Sequence, residues 1–513
     1  MRTILTETAV LLIIAIAGIT CLPQPFDGDQ ALFALGAEEW TNGSVYFRDF
    51  QDLKPPGIYL FYLVGGQLFG FDEKGIHLFE LLWNLVFAWT VLRISAGWFD
   101  SPGFRCAAPL ATCGVYYCIA DTWHLTQIEW IVGLPLLTSL ALLCPLQQKS
   151  GRSYLPYIAA GILGGLIGLF KPLYGILPAL FWVCSMLTLP VNGLKHRFRL
   201  AVEYGVAFAF GVLIPLALAA AYFRDQQALA AAIRTMFIDP PAVLAQKTDG
   251  YGMLVQGVRW FFNMYGPLIP LTFAGTIFTI RHDRSGFGLS LIVWTVAGFL
   301  LILIQRMWWE YHYLLILSPM GLLSVRTLDR AFAFFGTLET SWCRRRNRIT
   351  AFCTCLLLFS TWPVLTLHRV AVLSQFGFAW SPEDTLRYQQ RQHPEYAAAE
   401  QETRFLHNPE TVDDSLYVFG NPIYYHFANR CQAIPQQGWS IKVYLPDQWS
   451  EIVSQLKTNQ PGHIFVANNK HEQLQKVSAE TLNLLSTSYS MTSQSVHGTW
   501  YRRKAITPDP EFH

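Results

Sequence analysis

Runs of about 20 apolar residues recur along this chain, each long enough to cross a bilayer as a helix. They fall near 4–22, 76–96, 104–120, 128–146, 155–170, 173–190, 201–222, 259–280, 287–304, 311–326 and 350–372, eleven in all. In lipid the backbone must satisfy its own hydrogen bonds, so such runs fold as helices. The expected class is an all-α polytopic membrane protein. A further apolar stretch, 56–70, has only about 15 residues and is expected to lie along the membrane surface. Composition agrees: 14% of the 513 residues are charged, against about 25% in soluble domains. A net charge of +2 excludes a strongly basic nucleic-acid binder and an acidic disordered chain. Ten cysteines, many inside apolar runs, do not make a secreted disulfide scaffold.

Lysine and arginine set the orientation. With residue 1 inside, the inner loops carry Arg93, Arg105, Lys149, Arg152, Lys195, Arg197, Arg199, Arg281, Arg284, Arg326, Arg330, Arg344, Arg345, Arg346 and Arg348. Only Asp100, Asp283, Asp329 and Glu339 oppose them, while the outer loops up to residue 310 hold more acids than bases. The asymmetry emerges only when 56–70 is not counted as a span. It puts the N-terminus in the cytoplasm and the polar tail outside. The first segment (Arg2, an apolar core, Cys21) is long for a signal peptide and no A-x-A site follows, so it is expected to stay as an anchor. No retention signal ends the chain, and a bacterial plasma membrane is the expected location. Residues 373–513 are richer in charge and amides, with strand-like LYVFG (416–420) and HIFVAN (463–468) and helical DQWSEIVSQLK (447–457) between them. The expected organisation is a transmembrane domain over 1–372 and a small α/β extracytoplasmic domain over 373–513.

The loop after the first span is rich in acids: Asp27, Asp29, Glu38, Glu39, Asp49 and Asp52. Solvation at the membrane boundary accounts for Glu38, Glu39 and Asp72. Asp29 opens QALFALGAEEW, whose apolar residues have helical spacing. A carboxylate at the start of a surface helix facing a cleft can be desolvated toward the range of a general base. Asp27 is its competitor for that role. The glycines of GGLIGLFK lack P-loop spacing and read as close helix packing. Lys171 after them has an ordinary reading as a snorkelling interfacial lysine, and Glu129 as a helix-start residue favoured by the dipole. The aromatic residues of MWWEYHY read first as an interfacial belt. Cys353 and Cys355 have no second pair and no histidine cluster near them, so no metal site is expected there.

GDQALFALGAEEW followed by LKPPGIYLFYLVGGQLFG resembles the first outer loop of membrane glycosyltransferases of the GT-C superfamily. The resemblance is to family 39, with the protein O-mannosyltransferases and the aminoarabinose transferase that modifies lipid A. The family pattern, Asp-Glu-x-x-Tyr and then Lys-Pro-Pro before a surface helix, reads here as Asp29, Gln30, Phe33, Lys54, Pro55 and Pro56. Three further positions fit. They are Glu129, with Asp121 nearby, before the fourth span; Lys171 after a glycine-rich span; and Arg306, Tyr311, His312 and Tyr313 opening a late span. By the charge count all of these face outside. The resemblance covers about residues 1–326. It implies transfer of a sugar from a polyprenyl-phosphate donor to a lipid, glycan or protein acceptor on the outer face, with inversion of configuration. It implies Asp29 as base, with Glu129 orienting Lys171 or the acceptor. Lys171 and Arg306 would hold the lipid phosphate, and Asp27, Lys54, Tyr311, His312 and Tyr313 would line the substrate. No cofactor is implied and a divalent metal stays open. The alternatives are a transporter or flippase for a lipid-linked sugar, and a non-catalytic assembly protein on the same scaffold. Charges gathered at the outer boundary favour the enzyme over a transporter, whose ionisable groups sit near the midplane.

Overall fold

The computed structural model describes residues 2–99, 101–146, 153–190, 193–246, 250–283, 285–336, 361–408, 415–440 and 445–504. Residues 350–360 of the last expected span, Cys353 and Cys355 lie outside them, as do Asp100, Lys149, Arg152, Arg284, Glu339, Arg344, Arg345, Arg346 and Arg348 from the charge count. The chain forms two compact units, one of residues 1–24, 68–222 and 248–385, the other of 25–67, 223–247 and 386–513. The units therefore do not follow a linear division at 372/373. Backbone pairing is the reason the first outer loop joins the tail: Gln51 N–H donates to Pro435 O at 2.7 Å, and Gln432 N–H donates to Glu39 Oε1 at 2.7 Å. Phe47 meets Phe223 edge-on at 5.2 Å, which brings in the 223–247 segment.

The first unit is helical. Glu73–Ser95, Leu194–Asp225 and Gly286–Gln305 are long and apolar enough to cross a membrane. Shorter apolar helices accompany them, including Leu155–Phe170 and Pro172–Thr188. Leu12, Ile16, Leu82, Val86, Phe210 and Leu300 are among many large apolar side chains exposed on these helices. Such an exterior suits lipid and not water. Two expected spans are interrupted. The 259–280 run divides into Tyr251–Tyr265 and Leu268–His282 at Gly266-Pro267, where proline has no amide to continue the ladder. The 104–120 run contains Pro109 and passes through a π turn, Leu110–Gly114, between Pro102–Pro109 and Val115–Ile119. Asp72 caps Glu73–Ser95 by accepting from Gly75 N–H at 2.8 Å, so its place is structural and not merely solvated. Arg326, counted above as a loop charge, is buried; it donates to Trp98 O at 2.5 Å and pairs with Asp329 at 3.4 Å.

The second unit is α/β. Strand β1 (Leu416–Phe419) runs parallel to β2 (His463–Ala467). β4 (Gly498–Arg503) pairs antiparallel with β2 and with β3 (Tyr489–Gln494), giving the order β1-β2-β4-β3. Both expected strands and the expected helix are present, the helix as Pro446–Asn459. Tyr417, Phe419, Ile452, Leu456, Ile464 and Val466 form its buried core. The same unit contains Gly28–Thr41 and most of Pro56–Phe69, the latter with Leu60, Val64 and Leu68 exposed as one apolar stripe.

Glycines let the membrane helices touch backbone to backbone. A Cβ on Gly161 would strike the Phe208 carbonyl and lie 3.0 Å from Gly211 Cα, and one on Gly165 would crowd Pro215. Gly161→Val is expected to cost about 1–3 kcal/mol through overpacking and to lower the melting temperature in detergent; an unchanged melting curve would contradict this packing.

Candidate active site

In the α/β unit, chain geometry starts from the N-terminus of Gly28–Thr41. Asp27 is its N-cap, and Gln30 Oε1 accepts from Asp27 N–H at 2.8 Å, closing the first turn. Gln30, in the place of the family's glutamate, thus has a helix-capping job that its neutral amide performs without adding a third carboxylate beside Asp27 and Asp29. Asp29 lies in the first turn with its side chain 14% exposed. Lys54 Nζ donates to its Oδ1 at 3.2 Å, and Trp439 Nε1–H donates to the same oxygen at 3.2 Å.

Lys54 is itself fixed by its surroundings. Its Nζ is 3.8 Å from Asp52 Oδ2 and 5.2 Å above the Phe33 ring. Phe33, in the place of the family's tyrosine, is fully buried and meets Tyr59 and Tyr62 edge-on at 5.5 Å each. Asp52 is buried, accepting from Tyr59 Oη–H at 2.9 Å and from its neighbour Leu53 N–H at 2.7 Å. Beside Asp52 opens a polar cavity of about 90 Å³ lined by Gln51, Arg234, Asp239, Gln448 and Glu451 among others. Arg234 pairs there with Asp239 at 3.2 Å and with Asp447.

Burial lifts the Asp27 carboxyl to about 7, with the Asp29 charge adding to the rise. Glu39 is also buried, contrary to the solvated role expected for it; burial raises it to about 7 although Gln432 N–H favours its charged form. Glu38 is exposed.

A second constellation lies in the helical unit. Ile128–Ile131 carries Glu129 in its first turn, and Lys171 ends Leu155–Phe170 in an extended conformation, φ −160°. Lys171 Nζ donates to Glu129 Oε1 at 3.0 Å. Tyr174 Oη–H donates to that oxygen at 2.7 Å and lies 3.2 Å from Lys171 Nζ. His312 Nε2 is 3.8 Å from the same carboxylate, and the Tyr311 ring meets the imidazole edge-on at 4.7 Å. The glutamate is buried while the lysine keeps 24% of its side chain exposed, so a cation with a fixed position reaches the surface of the group.

Arg306 is exposed at the C-cap of Gly286–Gln305 with φ +50°, a strained setting for a residue with a side chain. Tyr313 is buried and packs on Phe261 at 5.1 Å. Asp121 pairs with His124 at 2.6 Å. Burial opposes charge on His124, but Asp121 outweighs it and the imidazole pKa is raised. No group of three His, Cys, Asp or Glu side chains able to hold a metal occurs among the described residues.

Geometry therefore joins Asp29 to Lys54, and Glu129 to Lys171 and His312. Sequence reasoning missed Tyr174, which its place three residues after Lys171 could have suggested. It also missed Glu80, fully buried and accepting from Tyr116 and, at 2.7 Å, from Thr126 N–H. Trp439 has no local signal at all, 410 residues from Asp29.

Raised acids set a pH dependence. Between pH 3.8, the ordinary Asp value, and about 7 the native state keeps a proton on Asp27 that the unfolded chain has lost. Stability therefore falls as pH rises through that window. Asp27→Asn, which keeps an N-cap acceptor, should raise the melting temperature by a few degrees at pH 8 and little at pH 5. Equal effects at both pH values would contradict a neutral Asp27.

No family model matches the sequence, and neither does any curated protein. Solved structures do. The crystal structure of ArnT from Cupriavidus metallidurans bound to undecaprenyl phosphate matches over 99% of both chains at 16% identity, TM-score 0.62, and its apo state matches equally. The archaeal oligosaccharyltransferase AglB from Archaeoglobus fulgidus, in complex with an inhibitory peptide and a dolichol-phosphate, matches over 98% of this chain and 75% of that one at 11% identity, TM-score 0.52. At these identities the likeness is one of fold. The chain shares its fold with these proteins, a polytopic helical body with a small α/β part, and this is the GT-C-like fold that the resemblance of the first outer loop led us to expect.

Proposed function

We propose that this protein is an integral-membrane glycosyltransferase that takes a sugar from a polyprenyl-phosphate donor and passes it to an acceptor at the outer face of the membrane. The observation that carries the reading is Asp29, a carboxylate kept in place by a lysine and an indole N–H inside a fold shared with ArnT bound to undecaprenyl phosphate and AglB bound to a dolichol-phosphate. Asp29 serves as the general base. It accepts the acceptor's proton as the nucleophile bonds to the anomeric carbon, and the bond from that carbon to the phosphate oxygen breaks on the opposite face. The bonding pair leaves with the phosphate, and configuration inverts. Lys171, with Arg306, neutralises the departing lipid phosphate. Glu129 and Tyr174 fix the lysine's position, and His312 and Tyr311 complete that wall. Asp27 and Lys54 serve as substrate-side residues of the α/β unit, and Tyr313 as one of the helical unit. Nucleotide sugars are made inside, so an outward site requires a lipid-borne donor, and the basic inner loops favour that orientation.

Asp29→Asn should reduce transfer by at least about 10²-fold, the lower range for a lost general base, with donor binding retained. Transfer at the wild-type rate would remove Asp29 from the mechanism. Lys171→Gln keeps a donor for Glu129 but removes the charge, and is expected to weaken undecaprenyl phosphate binding by about tenfold or more in a titration of purified protein. Unchanged affinity would contradict the phosphate role.

A further inference from the structure

The α/β unit holds a residue 410 positions from Asp29 in its hydrogen-bond shell. Trp439 donates its indole N–H to Asp29 Oδ1 at 3.2 Å, the oxygen that also takes Lys54. Three independent features hold that indole. Gln437 Oε1 accepts from Trp439 N–H at 2.6 Å and from Ser440 N–H at 3.1 Å, tying the turn. Lys470 Nζ donates to Trp439 O at 2.8 Å and stands 5.2 Å above the ring. The ring lies against the start of Gly28–Thr41, where a Cβ on Gly28 would overlap it. A glycine one residue before the base is therefore required by a tryptophan from the far end of the chain.

We infer that Trp439 is a positioning residue for the Asp29 base, so that the C-terminal part of the chain completes the active site and is more than an accessory. The inference rests on Asp29 being the base. A carboxylate oxygen shared by an ammonium and an indole N–H has a fixed direction, which leaves Oδ2 as the oxygen to receive a proton. The titratable and charged groups around it are Lys54, Asp27 on the same helix end, Asp52 beyond Lys54, and Lys470 across the indole. Lys54 supplies charge, whereas Trp439 supplies direction without adding charge. Its loss should therefore reduce turnover and not donor capture.

The test compares Trp439→Phe, Gly28→Ala and Asp29→Asn with wild type in purified full-length protein. Release of polyprenyl phosphate is followed from a polyprenyl-phosphate sugar with extracted cell-envelope material as acceptor. Trp439→Phe keeps an aromatic ring and loses the N–H donor. It should lower kcat about tenfold because the base loses its fixed direction, with donor KM unchanged. The acid limb of the pH–rate profile should move up, because a carboxylate that has lost a donor holds its proton more tightly. Gly28→Ala, which displaces the indole without touching Asp29, should give the same kcat loss and pH shift. Protein labelled with 5-fluorotryptophan gives a reading independent of the acceptor. The resonance lost in Trp439→Phe should shift in Asp29→Asn, because the indole N–H then loses its carboxylate partner. Wild-type kcat and pH profile in Trp439→Phe, with Asp29→Asn inactive, would overturn the positioning role alone. An active Asp29→Asn would overturn the base assignment and this role with it.

Discussion

A carboxylate in a mostly buried position keeps its charge and its direction only if neighbours supply donors, and the α/β unit is arranged around that requirement at Asp29. Lys54 reaches it from the segment that enters the Pro56–Phe69 helix, and Trp439 from the loop that follows the Ile423–Ala428 helix. Asp52, Tyr59 and Phe33 in turn restrain Lys54. Each partner comes from a different stretch of chain, so the fold itself sets the geometry of the carboxylate. Preorganisation of this kind is how a polar site contributes to a barrier without reorganising during the reaction.

The helical unit shows the same logic with the charges reversed. Lys171 needs a counter-ion in a low-dielectric setting, and Glu129 provides it with Tyr174 as a second donor. A buried ion pair gains little net stability, since desolvation offsets most of the Coulomb attraction, while removal of one partner costs about 3–5 kcal/mol. Fold stability alone does not call for such a pair. The pair does hold a lysine in a fixed position with a partly open ammonium, which is what the proposed phosphate role would use.

Much of this was legible in the residues. The apolar runs point to the membrane class, and the first outer loop points to the fold that the structure shares with ArnT and AglB. Asp29 and Lys54 stand out as residues of one motif, and Glu129 as a residue able to orient Lys171; in the structure Asp29 contacts Lys54 and Glu129 contacts Lys171. What was hidden is nonlocal. The division into units follows from pairing such as Gln51 with Pro435, and Trp439 meets Asp29 only through the tertiary fold. Two features were hidden by composition. Gly266-Pro267 divides a run that hydropathy reads as continuous, and β3, YSMTSQ, is too polar and too exposed along five of its six residues to look like a strand. Glu39 was misjudged because a lone glutamate in an acidic loop gives no sign of the backbone amide it will accept from.

Transfer and transport differ in the fate of the bond between sugar and lipid phosphate. Wild-type protein reconstituted in liposomes with a panel of polyprenyl-phosphate sugars, and with extracted cell-envelope material outside, separates chemistry from transport. Free polyprenyl phosphate accumulating with one donor, together with that donor's sugar appearing on the envelope material, is the predicted result. An intact donor that moves from one leaflet to the other without losing its sugar would contradict it.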